Sequence, residues 1–194
     1  QKNKMIETKQ LRVIPLTPEQ FALFLNGINF MEDVLKLTAS GETLDAHTQE
    51  AMTCQYQLAT KYPESFPLLT SWQIILKSEN KAIGSACFKN LPDKEGNVEI
   101  GYGIYEAYRN QVYMSEALEG MCQWAFTQQG IQSVIAETEE KNVASQRVLQ
   151  KNGMKQYKES TNSIWWKLNK EKMENNKAMI IRQETKEEYQ EIYN

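Results

Sequence analysis

Three stretches of this 194-residue chain hold residue types at spacings that suit chemistry. In "YRNQVYMSEAL", Tyr108 to Leu118, a polar turn runs straight into an amphipathic helix. The first N–H groups of a helix have no partner within it, and the helix dipole adds positive potential there, so such a turn is a ready anion site. Arg109 at its start adds a permanent charge that suits phosphate. In "VEIGYGI", Val98 to Ile104, strand alternation puts Val98, Ile100, Tyr102 and Ile104 on one face and Glu99, Gly101 and Gly103 on the other. Two glycines inside a strand mark a bulge or the close approach of something else, and here they clear space beside a carboxylate. An exposed, twisted strand with a solvated Glu99 is the plainer alternative. In "NVASQRVLQKNGM", Asn142 stands three residues before Ser145. That is the spacing of an Asn N-cap accepting from the Ser145 N–H, and it demands no function by itself.

The elements around these stretches are legible from pattern. Leu11 to Ile14 alternates and predicts a strand; Thr17-Pro18 predicts a helix from Pro18 to about Asn26. Residues 44–62 lack proline and glycine and predict a longer helix, ended by Pro63 and Pro67. "SWQIILKSENKAIGSACFK" reads as a hairpin turning at Ser78 to Asn80, and "GNVEIGYGIYE" as the next strand. The helix after the polar turn carries Ala117, Leu118, Met121, Cys122, Ala125 and Phe126 on one stripe, with Gly130 expected to close it. "QSVIAETE" predicts a strand, Asn142 to Asn152 a helix with Gly153 past its end, and "MKQYKESTNSIWWKL" a hairpin turning at Ser160 to Asn162. Trp165 and Trp166 then point to opposite faces, one toward the core. The order implies a mixed sheet with helices on its faces.

Together, "VEIGYGI", "YRNQVYMSEAL", "NVASQRVLQKNGM", "AIGSACF" and the opening "ETKQLRVIPLT" resemble the GCN5-related N-acetyltransferases (GNAT family), in particular the RimJ/RimL-like branch that acetylates ribosomal-protein N-termini. The resemblance spans Met5 to about Leu168. It implies an α+β fold: a mixed, mostly antiparallel twisted sheet with helices on both faces and a splayed central strand pair. It also implies transfer of acetyl from acetyl-CoA to a primary amine. The family's pyrophosphate turn, Arg/Gln-x-x-Gly-x-Gly/Ala, falls on Arg109, Asn110, Gln111, Val112, Tyr113 and Met114. The strand edge near Ile104 would pair with the pantetheine arm, and Asn142 would contact the coenzyme. Glu99 matches a strand carboxylate assigned as general base, and Ser145 a serine that protonates the leaving thiolate. These types suit the reaction. An amine with a pKa of about 8 to 10 must lose a proton before it attacks a thioester, and a carboxylate can take it. An N–H on the splayed strand can steady the oxyanion.

The chain departs from that pattern at Val112, where the family most often has glycine, and at Asn110. If the turn requires positive φ at Val112, a β-branched residue is strained there by roughly 1–3 kcal/mol. If it requires only an N–H, valine can supply it. Two functions are therefore expected: an N-acetyltransferase acting on a protein N-terminus or a small amine, or a degenerate domain that binds CoA weakly or not at all and serves as a partner-binding or regulatory module. Restoring glycine at Val112 discriminates them.

Composition bounds the rest. With 41% hydrophobic and 24% charged residues the chain has the makeup of one globular domain, and a net charge of −3 gives no basic field for nucleic acid or an anionic membrane. Cys54, Cys87 and Cys122 sit among apolar residues and read as packed, reduced thiols, which with the lack of a signal-like or spanning segment makes the cytoplasm the expected location. The single histidine, His47, reads as a surface residue and leaves neither a histidine metal site nor a Ser-His-Asp triad. A monomer or a homodimer is expected. Residues 1–4 read as a leader before Met5, residues 5–169 as the acetyltransferase domain, and "NKEKMENNK", at 169–177, as a linker. Beyond it a strand-like Met179 to Arg182 precedes a helix start. Thr185 and Glu188 repeat the capping-box spacing of Thr17 and Gln20, as if a second, similar domain began there, though generic helix-start chemistry accounts for it equally.

Overall fold

The computed structural model describes residues 5–175 and positions 177, 179, 182 and 186. Its first helix, α1 (Pro18–Asn26), begins as local chemistry dictates. The Thr17 hydroxyl accepts from the Gln20 N–H, the Gln20 side chain accepts from the Thr17 N–H, and Pro18 occupies the first turn. After Gly27 the chain enters a second helix at once, α2 (Ile28–Val34), which the sequence pattern did not announce. Asp45 caps α3 (Ala46–Lys61) through the Thr48 N–H, and a single-turn α4 (Phe66–Leu69) follows with Pro67 in its first turn. Leu16, Phe21, Phe24, Ile28, Met31, Ala59, Phe66 and Leu69 bury together among these four helices.

The strands are β1 (Ile6–Glu7), β2 (Leu11–Pro15), β3 (Trp72–Leu76), β4 (Lys81–Phe88), β5 (Asn97–Ile104), β6 (Ser133–Glu139), β7 (Lys155–Ser160) and β8 (Ser163–Asn169). They form one twisted sheet in the order β1-β2-β3-β4-β5-β6-β8-β7, antiparallel throughout except for the β5–β6 pair. On the face away from α1–α4 lie α5 (Tyr113–Ala125) and α6 (Val143–Lys151). The stripe Ala117, Leu118, Met121, Cys122 and Ala125 packs there with Leu11, Val13, Trp72, Ile74, Val98 and Ile100. Trp124 covers Trp72, with ring centroids 4.7 Å apart, and stacks on Phe88. On the opposite face the buried Gln55 amide donates to the carbonyls of Leu69 and Phe88, tying α3 to the sheet. The result is the α+β architecture implied by the resemblance.

Several expectations need correction. The α5 helix ends at Ala125, well before Gly130, which instead takes a left-handed φ of 85° in the turn leading to β6. Cys54 is exposed on α3; only Cys87 and Cys122 are packed. The run read as a linker is helical over residues 170–175, and Met173 packs against the main core. At the expected strand 179–182 the two described positions, Met179 and Arg182, are helical; the rest of that segment, the leader 1–4 and the capping-box repeat at Thr185 lie outside the described residues. Trp166 is the core-facing member of its pair and donates to the Thr138 hydroxyl at 2.9 Å; Trp165 faces the other way, under the Lys158 ammonium. Among the described residues no helix is long and apolar enough to cross a membrane.

Two glycines beside β5 differ in what surrounds them. A Cβ at Gly84 would meet the Gly103 carbonyl oxygen and lie 2.9 Å from the Ile104 Cα, whereas one at Gly103 would meet nothing within 4 Å. Gly84→Ala is therefore expected to lower the unfolding free energy by about 1–3 kcal/mol. Gly103→Ala should change it by less than about 1 kcal/mol, both read from urea denaturation midpoints.

Candidate active site

The site begins where the sheet divides. β5 and β6 share only three register pairs, Asn97↔Ser133, Val98↔Val134 and Glu99↔Ile135. Past these, β5 stays with β4 as far as Ile104, while β6 stays with β8 as far as Glu139. The strands consequently diverge after Glu99, the splayed pair the resemblance implied. The Lys89 N–H donates to the Glu99 carbonyl and the Tyr105 N–H to the Ile83 carbonyl, so alternation directs the backbone groups of Glu99, Gly101, Gly103 and Tyr105 toward β4. Those of Ile100, Tyr102 and Ile104 face the opening. The Ile104 carbonyl, at the end of that edge, accepts from Arg109 Nε at 3.0 Å.

The polar turn follows β5 directly. Arg109 is extended, Asn110 takes the left-handed φ of 60°, and Val112 lies in the right-handed region at φ −72°, ψ −7° as the residue preceding α5. The glycine-like backbone thus falls on Asn110, a residue type that tolerates it, and Val112 is unstrained with its side chain half exposed. The first turn of α5 has no side-chain cap. Among the described residues the N–H groups from Asn110 to Ser115 have no hydrogen-bond partner, and the Glu116 N–H is the first to bond back, to the Val112 carbonyl. Unpaired amides at a helix start, with Arg109 alongside, make an anion cradle.

α6 supplies the far wall. Asn142 Oδ1 accepts from the Ser145 N–H at 3.1 Å, the expected cap, and the Ser145 hydroxyl meets the Tyr102 hydroxyl, which reaches across from β5. Burial pushes the Tyr102 phenol above its ordinary range while the Ser145 hydrogen bond pulls it down, so it stays protonated at neutral pH. Tyr102 was not among the expected site residues; the signal for it was its place on the Ile100–Ile104 face, opposite Glu99. The Asn152 side-chain amide donates to the carbonyl and hydroxyl of Ser115, joining α6 to the first turn of α5.

On the other face of β5, Glu99 is not solvated alone. Its Oε2 lies 3.2 Å from Lys89 Nζ, and its backbone N–H donates to the Asn90 side chain. Burial pushes the neighbouring Cys87 thiol up to about 11, so it is no nucleophile at neutral pH. Farther along the same face stands Tyr105, pushed up to about 12 by burial and then by the Glu42 and Glu32 carboxylates. The structure thus gathers Glu99, Ile104, the turn Arg109 to Met114, Asn142 and Ser145 around one opening. Glu99 is on one face of the sheet and the Tyr102–Ser145 pair on the other.

The model of a GNAT acetyltransferase domain matches residues 10–155. An uncharacterized N-acetyltransferase of Bacillus subtilis (strain 168), YjdG, is 31% identical over 83 residues, which is 43% of this chain and 49% of the relative; the chain thus spans about half the length of that protein. The ribosomal-protein-S5-alanine acetyltransferase of Vibrio fischeri superposes with a TM-score of 0.63 at 20% identity, covering 86% of this chain and 96% of the other. The RimL ribosomal L7/L12 acetyltransferase in complex with coenzyme A gives 0.60 at 14%, covering 86% and 98%. That family match spans residues 10–155, most of the chain, and it shows that the chain belongs to the GNAT acetyltransferase family.

Proposed function

We propose that this protein transfers an acetyl group from acetyl-CoA directly to a primary amine. The observation that carries the reading is the opening beyond Glu99. It has a free strand edge on one side, unpaired amides at its end, and proton-handling groups on both faces of the sheet. The amides of Asn110 to Ser115, with Arg109, hold the diphosphate. The backbone groups of Ile100 and Tyr102 pair with the pantetheine arm; Ile104 contributes through its N–H, since its carbonyl is taken by Arg109. Asn142 fixes the α6 end of the opening. Acetyl-CoA, when bound, supplies the activated thioester.

Glu99 takes a proton from the incoming ammonium on one face, and the Tyr102–Ser145 hydroxyl pair delivers one to the departing sulfur on the other. The protonated Cys87 thiol favours direct attack over an acetylated cysteine. The acceptor enters on the α1–α4 face, where Gly103 leaves open space. A protein N-terminus or a small amine suits that side, and the ribosomal-protein acetyltransferases among the structural relatives favour the former. A degenerate, non-binding domain loses its motive, because Val112 needs no left-handed backbone.

Calorimetric titration with acetyl-CoA and CoA, then thiol release with small amines and peptide N-termini, tests the reading; no binding by the folded chain would end it. Glu99→Gln should lower kcat/KM by about 10²–10⁴-fold, whereas Ser145→Ala and Tyr102→Phe should lower kcat by about tenfold with CoA affinity kept. An unchanged kcat/KM in Glu99→Gln would remove its role. Val112→Gly should alter the CoA dissociation constant by less than about threefold. Asn110→Val should cost about 1–3 kcal/mol of stability where Asn110→Gly costs none, read by thermal unfolding.

A further inference from the structure

The ion pair at Glu99 has an unusual location for a cross-strand pair. Lys89 is the first residue after β4, and its backbone N–H donates to the Glu99 carbonyl, so the two residues lie directly opposite. The Lys89 side chain crosses toward the next residue pair, and its Cε lies 2.7 Å from where a Cβ at Gly101 would be. A Cβ at Gly101 would push the end of the Lys89 side chain off that path. Its Nζ ends 3.2 Å from Glu99 Oε2, at the last rung before β5 and β6 part. The other two ion pairs among the described residues, Lys77–Glu7 and Lys81–Glu79, engage neither Glu99 nor the opening. A primary amine is therefore held on the carboxylate assigned above as the base, on the face from which an acceptor enters.

We propose that Lys89 Nζ occupies the position of the acceptor amine and is itself acetylated when acetyl-CoA is bound and no other amine is present. This rests on the acetyl-transfer reading of the same site. The Nζ ammonium gives a proton to the Glu99 carboxylate, and the freed lone pair forms an N–C bond to the acetyl carbon as the C–S bond breaks. Of the two protons that leave nitrogen, one ends on the CoA sulfur through the Tyr102–Ser145 hydroxyls, and the other passes through Glu99 to solvent. The product is an uncharged acetyl-lysine that no longer pairs with Glu99. External acceptors have to displace Lys89, so a good acceptor protects it.

The test incubates the full chain with acetyl-CoA alone and follows lysine acetylation by peptide mass spectrometry. Lys89, Lys94 and Lys155 are all exposed, yet Lys89 is expected to gain one acetyl group at least about tenfold faster than the other two, at a rate independent of protein concentration. Glu99→Gln should slow the reaction about tenfold or more, and so should Gly101→Ala, which leaves Glu99 in place and moves Nζ. Lys89→Arg should bind acetyl-CoA and gain no acetyl group at that peptide. Labelling of Lys89 no faster than Lys94 or Lys155, equally fast labelling in the urea-unfolded chain, or a rate that rises with protein concentration overturns the proposal. A chain that acetylates added amines yet leaves Lys89 untouched overturns it while the acetyl-transfer reading stands. A chain that does not bind acetyl-CoA overturns both.

Discussion

A β-strand has two hydrogen-bonding edges, and the arrangement of this molecule follows from how β5 and β6 use theirs. β6 pairs with β8 along its whole length and β5 with β4 along most of its own, so each strand follows the twist of its own partner. Three shared rungs are all that join the two half-sheets. Beyond them the backbone of Ile100 and Tyr102 is left without a neighbouring strand on that side. An open edge of this kind invites an extended ligand in place of a strand, as in β-augmentation.

Alternation along β5 then sorts the chemistry. Successive side chains leave on opposite faces, so Glu99 stands on the α1–α4 side while Tyr102 meets Ser145 on the α5–α6 side. A proton acceptor and a proton donor are separated by the thickness of one strand, and the opening between β5 and β6 connects them. The glycines at 101 and 103 keep the Glu99 side low, one filled by the Lys89 stem and the other empty.

How much of this was legible depended on how local each signal was. The Thr17 capping box, the Asn142 cap and the face alternation of Val98 to Ile104 are set by residues within a few positions, and all three stand as expected. At the turn two alternatives stood open for Val112, and its right-handed backbone leaves the one in which valine need supply only an N–H. A motif written with glycine at Val112's position hides the fact that backbone here turns left-handed at Asn110. Lys89 and Tyr102 escaped notice because their roles depend on strand register and on a contact 43 residues distant, neither of which is written in local pattern. The helix at residues 170–175 was missed because its charged composition hid the single apolar contact through Met173, and α2 because Gly27 breaks the helical pattern at its start.

The amide of Asn152 has a wider consequence. It sits at the end of α6 and grips Ser115 in the first turn of α5, so the unpaired amides that open α5 and the Ser145 hydroxyl on α6 belong to one braced frame. Such a frame works as a ruler. The span between its marks is constant, and only a carrier arm of matching length can have its head seated and its reactive tip delivered to the partition in the sheet at the same moment.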